Sequence, residues 1–281
     1  MLKIGSLCTG YGGLDMAVEA YFGAETVWVS EIDKYASQVI ELRLNKPNLG
    51  DLKKIDWANV EPIDILTAGY PCQPFSHAGN RKGTDDERHI WPHIYEGISI
   101  LRPAYVVLEN VRGHLSLGFK EVLKDLASFG YDAKWQTVRA SDVGAPHRRE
   151  RLFVVAELQR AYSNGQRFPL GENNSRTQWN QGQSQPIVSE LGEDVANSTS
   201  TRSQGSFNQG YLHAECSDIW DRAIPNPLAE DKLNPQFVEY MMGLPEGWVT
   251  DAGLSRTQQL KMLGNGVVPQ QALFALSQIM R

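Results

Sequence analysis

The sequence has 281 residues, of which 41% are hydrophobic and 21% charged, a composition typical of a soluble chain with a sizeable core. No apolar run approaches the ~20 residues that cross a bilayer, and the first residues lack a basic region ahead of an apolar stretch, so we expect neither membrane insertion nor secretion. The net charge of -6 argues against a protein that coats nucleic acid non-specifically, while leaving room for a local basic patch.

Short β-branched runs alternate with amphipathic segments from Lys3 to about Glu157. This alternation predicts an α/β fold with βα units around a mostly parallel sheet. Strands are predicted at Lys3 to Leu7, Thr26 to Ser30, Ile63 to Ala68, Tyr105 to Glu109, Asp132 to Arg139 and Arg151 to Glu157. The helical segments lie around Leu14 to Tyr21, Lys34 to Asn45, Ile90 to Leu101 and Gly118 to Phe129. The last two strands leave no room for a helix between them, so we expect an antiparallel pair at one sheet edge.

The composition changes sharply between Ser163 and Gln209, where 29 of 47 residues are Gly, Ser, Thr, Asn or Gln. Such a segment buries too little apolar surface to offset its own ordering cost, which predicts a flexible insert. After Ile219 the pattern again predicts helices, and Gly264 to Pro269, with the sequence GNGVVP, is predicted to be a turn that leads into the last one. The helical faces consist of Phe237, Tyr240 and Met241, and of Leu273, Leu276 and Ile279.

A glycine-rich loop follows the first strand and opens the first helix, with Gly10, Gly12 and Gly13 in it and Glu31 about 20 residues further on. Glycines in this position let a ligand approach the backbone, and a carboxylate at this distance binds ribose hydroxyls. A tight strand-to-helix turn explains the glycines equally well. From these residues alone, nicotinamide, flavin and S-adenosylmethionine all remain candidate ligands.

The three cysteines, Cys8, Cys72 and Cys216, are too far apart for a CxxC metal site and odd in number, so we expect a reducing cytoplasm and no metal. Cys72 lies in GYPCQPFS, directly after a predicted buried strand, where open α/β sheets bind their ligands. Pro71 and Pro74 restrict the backbone on both sides of it. The alternatives are a reactive thiol and a small buried apolar side chain.

Two further groups of charged residues lie at predicted strand ends. Glu109 ends the buried run YVVLEN and either reaches the same crevice or caps the following turn. In APHRRERLFVV, Arg149 and Arg151 are two residues apart and therefore point to one face of a strand. They are suited to hold a phosphate, a base oxygen or the Glu109 carboxylate; the alternative is a solvated edge paired with Glu150.

In this order, LCTGYGG, PCQPFS, ENV, RRER and GNGVVP resemble the ordered motifs of the DNA (cytosine-5)-methyltransferases, of the bacterial or phage type. The resemblance covers about Lys3 to Glu157 and Leu233 to the end. It implies a doubly wound, discontinuous catalytic domain, residues 1–158 and 258–281, and a small target-recognition region, residues 159–257, across a DNA cleft. It also implies that the last helix packs beside the first strand.

The resemblance further implies S-adenosylmethionine as the cofactor. Ribose binding falls to Glu31 and adenine contact to Asp51 and Leu52. The remaining implied cofactor contacts are Tyr11, Gly12, Gly13 and Leu14 in the glycine loop and Asn265 and Val267 in GNGVVP.

The implied reaction is methyl transfer to carbon 5 of a cytosine flipped out of double-stranded DNA. Cys72 adds covalently to the base, Glu109 acts at N3, and Arg149 and Arg151 hold the base oxygen and Glu109. We expect a cytoplasmic enzyme, monomeric and without metal. The chain departs from the usual motifs at Cys8, where most members have phenylalanine, and at His147, where most have glutamine.

Three other functions compete with this one. Some enzymes of the family methylate tRNA, and a catalytically silent relative would bind only DNA or a partner enzyme. A nicotinamide oxidoreductase would use the glycine loop but would leave PCQPFS and the arginine pair unexplained.

Overall fold

The structure, a computed structural model, describes residues 1–71, 90–163, 166–169 and 218–281. Within these ranges six strands form one mixed sheet in the order β2-β1-β3-β4-β6-β5. The predicted strands are confirmed, with ends that differ by at most two residues. They are β1 (Lys3–Leu7), β2 (Glu25–Ser30), β3 (Ile65–Gly69), β4 (Tyr105–Val111), β5 (Tyr131–Arg139) and β6 (Glu150–Leu158).

Strands β1 to β4 are parallel, and β6 is antiparallel to both β4 and β5. The predicted antiparallel pair is therefore confirmed, but β6 inserts between β4 and β5 and leaves β5 at the edge. Leu66, Val106 and Leu152 are completely buried in the centre of the sheet. Burial on both faces explains why these strands read as near-continuous apolar runs.

Helices cover the sheet, and the four predicted ones before residue 130 are confirmed within two residues at each end. They are α1 (Gly13–Phe22), α2 (Lys34–Arg43), α3 (Trp91–Leu101) and α4 (Phe119–Ser128). No helix in the described ranges has both the length and the apolar character that a membrane span requires.

Three more helices follow residue 218, namely α5 (Pro235–Met241), α6 (Arg256–Asn265) and α7 (Pro269–Ile279). The last helix, α7, packs against α1 and against β5 and β6. Its Ala272 and Leu276 share one apolar cluster with Ile4 of β1 and Leu14 of α1. The carboxyl-terminal segment thereby lies beside the loop that joins β1 to α1.

The predicted turn from Gly264 to Pro269 is shorter in the structure, because Gly264 and Asn265 form the last turn of α6. Few apolar residues mark this helix in the sequence. It begins instead with a capping box, in which the side chains of Ser255 and Gln258 each bond the other residue's backbone. Only Gly266 to Val268 connect the two helices.

Much of the predicted polar insert, and Cys72 and Cys216, lie outside the described residues. The described part of the insert belongs to a short hairpin of β7 (Arg160–Ser163) and β8 (Gln166–Pro169). A second small hairpin, β9 (Leu228–Ala229) with β10 (Lys232–Leu233), precedes α5.

Candidate functional site

A cavity of about 650 Å³ opens at the carboxyl ends of the parallel strands. Strand β1 is flanked by β2 on one side and β3 on the other, so the chain reverses its winding direction there. In open α/β sheets this reversal leaves a crevice that binds ligands. The wall contains residues from the β1–α1 loop, β3, β4, the start of β6 and the α6–α7 segment.

Glu31 lies in the wall after β2 and organises the glycine loop. One carboxylate oxygen accepts a hydrogen bond from the Gly10 amide at 2.9 Å, and the other accepts one from the Asp33 amide at 2.8 Å. A carboxylate oxygen has two acceptor positions, so each retains capacity for a ribose hydroxyl. Cys8, in a left-handed conformation with φ of 52°, lines the cavity beside it.

Tyr11 joins the glycine loop to the carboxyl-terminal segment rather than lining the cavity. Its side chain is 1% exposed, and its hydroxyl donates a hydrogen bond to the Val267 carbonyl at 2.7 Å. A Cβ on Gly266 would lie 1.8 Å from the Tyr11 ring, and one on Gly13 would lie 2.2 Å from the Val267 carbonyl oxygen. These two glycines therefore allow contact within the protein, and for Gly13 the sequence had suggested contact with a ligand.

The predicted cofactor contacts divide into two groups in the structure. The cavity wall contains Leu14, Glu31, Asn265 and Val267. The other five predicted contacts do not line this cavity, namely Tyr11, Gly12, Gly13, Asp51 and Leu52. Asp51 caps a 3-10 turn by accepting the Lys53 amide, and Leu52 packs in the core under the sheet.

Glu109 and Arg151 form a buried ion pair in the cavity wall. The Arg151 Nε lies 3.0 Å from the Glu109 Oε1, and the two side chains are 17% and 9% exposed. Burial raises the pKa of Glu109 to about 7, although Arg151 and Arg149 both favour its charged form. The carboxyl group can therefore exchange a proton near neutral pH.

Arg149 lies in the same cavity wall, and its guanidinium group bonds backbone carbonyls. Its Nη1 donates to the Gly264 carbonyl and its Nη2 to the Gly266 carbonyl, both at 2.8 Å. These bonds hold the α6–α7 segment against the site, and among the described residues Arg151 forms the ion pair with Glu109. The sequence indicated one shared face, but it carried no information about carbonyls more than 100 residues away.

Asn110 fixes the chain that leads to Cys72. Its Nδ2 donates to the Tyr70 carbonyl at 3.1 Å, and the Tyr70 hydroxyl lies 2.9 Å from the Nε2 of His114. Pro71 is the last described residue before Cys72 and lines the cavity. The strand that carries Glu109 thus also anchors the backbone that precedes the predicted nucleophile.

Two residues of the site were not singled out from the sequence. Asp15 lies in the first turn of α1 and lines the cavity although it is 2% exposed. Its signal was a carboxylate within the otherwise apolar run GLDMAV. Lys261 of α6 pairs with Asp33 at 3.1 Å beside the cavity, a contact between residues 228 positions apart that no local pattern reveals.

The family of the chain follows from comparison with known proteins. The model of the C-5 cytosine-specific DNA methylases matches residues 2–215, and the chain belongs to this family.

Its relatives include two bacterial Type II methyltransferases. M.NgoBI from Neisseria gonorrhoeae is 37% identical over 160 residues, which are 55% of this chain and 50% of that protein. M.Bsp6I from Bacillus sp. (strain RFL6) is 35% identical over 178 residues, which are 60% of this chain and 56% of that protein. The chain thus spans about half the length of these relatives.

Solved structures share the fold. The Dnmt2 methyltransferase of S. pombe superposes with a TM-score of 0.66 at 17% identity, covering 100% of this chain and 98% of that one. The methyltransferase EhMeth of Entamoeba histolytica gives a TM-score of 0.63 at 18% identity, covering 99% and 98%. At these identities the likeness establishes the predicted α/β architecture alone.

Proposed function

We propose that this chain transfers a methyl group from S-adenosylmethionine to carbon 5 of a cytosine in double-stranded DNA. The observation that carries the proposal is the buried Glu109 and Arg151 pair in the wall of a cavity that also contains Glu31. The same cavity therefore contains a carboxyl group, Glu109, that can donate a proton to a nucleobase and a carboxylate, Glu31, that can accept hydrogen bonds from a ribose. The family to which the chain belongs, the C-5 cytosine-specific DNA methylases, supports the same substrate class.

The residues present fit the cofactor. Glu31 has free acceptor capacity for ribose hydroxyls, and Leu14, Asn265 and Val267 line the same wall. Backbone contacts from Tyr11, Gly12 and Gly13, and an adenine contact at Asp51 and Leu52, stay predictions from the resemblance. When bound, S-adenosylmethionine supplies an electrophilic methyl group.

The protein must make cytosine carbon 5 nucleophilic, because this carbon is unreactive in the free base. The Cys72 thiolate adds to carbon 6, which forms a carbon–sulfur bond and moves the electron pair of the double bond toward carbon 5. Glu109 donates a proton or a strong hydrogen bond to N3 and so limits the negative charge on the ring. Arg151 keeps the carboxyl group in position, and its donation of a hydrogen bond to the base oxygen is part of this proposal.

The product requires that carbon 5 lose its proton and that Cys72 leave. Water or hydroxide takes that proton, the electron pair re-forms the double bond, and the thiolate departs from carbon 6. Any proton given to N3 returns to Glu109. The cavity is concave and walled by strand ends, so a base stacked in a duplex cannot reach it. We therefore propose that the cytosine flips out of the helix.

The test is transfer of labelled methyl from S-adenosylmethionine to unmethylated duplex DNA and to tRNA, with the product base identified by mass spectrometry. Wild-type protein is expected to form 5-methylcytosine in DNA, and Cys72→Ser is expected to form none while its cofactor affinity stays within about threefold. Label only in tRNA would replace the DNA substrate. Full activity of Cys72→Ser would refute the covalent step, and no label with any substrate would favour a silent relative.

A further inference from the structure

A buried carboxylate that the reaction does not use faces the cavity from α1. The Asp15 Oδ2 accepts a hydrogen bond from the Ser6 hydroxyl at 2.9 Å, and the Oδ1 accepts one from the Thr67 hydroxyl. The Ser6 hydroxyl also lies 2.8 Å from the hydroxyl of Thr9 in the glycine loop. Asp15 thus connects β1 to β3, and Ser6, Thr9 and Asp15 itself line the cavity.

The charge of Asp15 has no cationic partner among the described residues. Burial raises its pKa to about 6, and the two hydroxyl donors oppose that rise, so the group is ionised at neutral pH. The cationic side chains in the described wall are otherwise engaged: Arg151 with Glu109, Arg149 with two carbonyls and Lys261 with Asp33. A buried charge without a counter-ion is costly unless a ligand supplies one.

We propose that Asp15 is the counter-charge for the sulfonium group of S-adenosylmethionine and makes the cavity prefer the charged methyl donor to its product. This inference rests on the proposed function, because it assumes the cofactor. S-adenosylmethionine carries a sulfonium and an ammonium group, whereas S-adenosylhomocysteine has lost the sulfonium charge. A carboxylate shielded from solvent distinguishes the two, since water and salt screen it weakly.

The experiment is isothermal titration of S-adenosylmethionine and S-adenosylhomocysteine into wild-type protein, Asp15→Asn, Asp15→Ser and Thr67→Val. Asparagine keeps the shape of the side chain, and the Ser6 and Thr67 hydroxyls can rotate to suit it. Serine provides a second neutral variant, and thermal unfolding checks that each variant is folded. Thr67→Val is the matched control, because it removes one hydrogen bond to Asp15 and leaves the charge.

Both neutral variants are expected to bind S-adenosylmethionine about tenfold more weakly, equal to about 1.4 kcal/mol, and S-adenosylhomocysteine less than about twofold more weakly. Thr67→Val should weaken both ligands alike. An equal loss for both ligands in the neutral variants, or no loss, would overturn the charge assignment and leave Asp15 a structural residue. If the wild-type protein bound neither ligand, the proposed cofactor would be refuted. If both ligands bound and the variants left the ratio of their affinities unchanged, only the role of Asp15 would be refuted.

Discussion

Glu109 must be protonated to act at N3, and its surroundings raise the pKa to about 7 through burial. The proton is therefore present below about pH 7 and is lost as the pH rises above it. Arg151 limits this rise and fixes the carboxyl group at the same time. At the residue scale, burial favours the protonated form of Glu109, while Arg151 stabilises its charged form.

Replacing Glu109 by Gln should slow the methyl-transfer step by a factor of about 100 to 10,000, because general acid catalysis is lost. Single-turnover rates of wild-type protein are expected to decline above about pH 7, and those of Glu109→Gln should lack this decline. Glu150→Gln is the control, since Glu150 pairs with Arg112 instead and should leave the rate nearly unchanged. A defect of Glu109→Gln confined to DNA affinity would contradict the role of Glu109.

His147 is held as a neutral ring between two elements. Its Nε2 donates to the Met241 carbonyl at 2.9 Å, and its Nδ1 accepts the Arg149 amide at 3.3 Å. Burial lowers the pKa of His147 below its ordinary value, and the charges of Arg149 and Arg151 lower it further. The unfolded chain therefore binds the proton first as the pH falls, and stability is lost through about pH 6.5 and below.

The expected result is that His147→Gln loses less thermal stability than wild-type protein between about pH 7.5 and pH 5.5. Glutamine offers a donor and an acceptor that do not titrate. Differential scanning calorimetry of both proteins at each pH measures the difference. Parallel stability curves would show that His147 does not titrate in this range.

At the element scale, the junction of α6 and α7 depends on close contact between Gly266 and the ring of Tyr11. Gly266→Ala should destabilise the fold by about 1–3 kcal/mol, the usual cost of overpacking. Gly264→Ala is the matched control two residues earlier. The Cβ of the new alanine would have nothing within 4 Å, and the position lies inside a helix. Urea unfolding of both variants measures the contrast, and equal stabilities would show that Tyr11 moves aside without cost.

Element bounds followed from the sequence wherever local patterns decide them. The buried strands and the four helices before residue 130 carry apolar periodicity, and the structure confirms them. The position of β6 between β4 and β5 could not be predicted, because strand order depends on pairing between distant segments. For the same reason the sequence identified Arg149 but not its acceptors. Helix α6 was missed for its weak apolar pattern, although its capping box was readable.

On the scale of the whole molecule, the net charge of -6 limits how DNA can be held. Arg149 and Arg151 are engaged inside the site, whereas Arg139 and Arg148 nearby are exposed. We expect the logarithm of DNA affinity to fall with the logarithm of salt concentration at a slope that implies fewer than about five phosphate contacts. Fluorescence anisotropy at several salt concentrations measures it, and Arg148→Ala should reduce the slope by about one contact. Ten or more implied contacts would contradict this expectation.

The residues that form the cavity wall are far apart in the sequence and are therefore synthesised at different times. Tyr11 and Arg149 both donate hydrogen bonds to carbonyls between Gly264 and Val267. These side chains are therefore synthesised well before the residues that they bond. A nascent chain that ends before α6 presents the glycine loop, Glu31 and Glu109 without the segment that encloses them. We therefore expect the chain to bind its ligand only after α6 and α7 have been synthesised and have packed against the site.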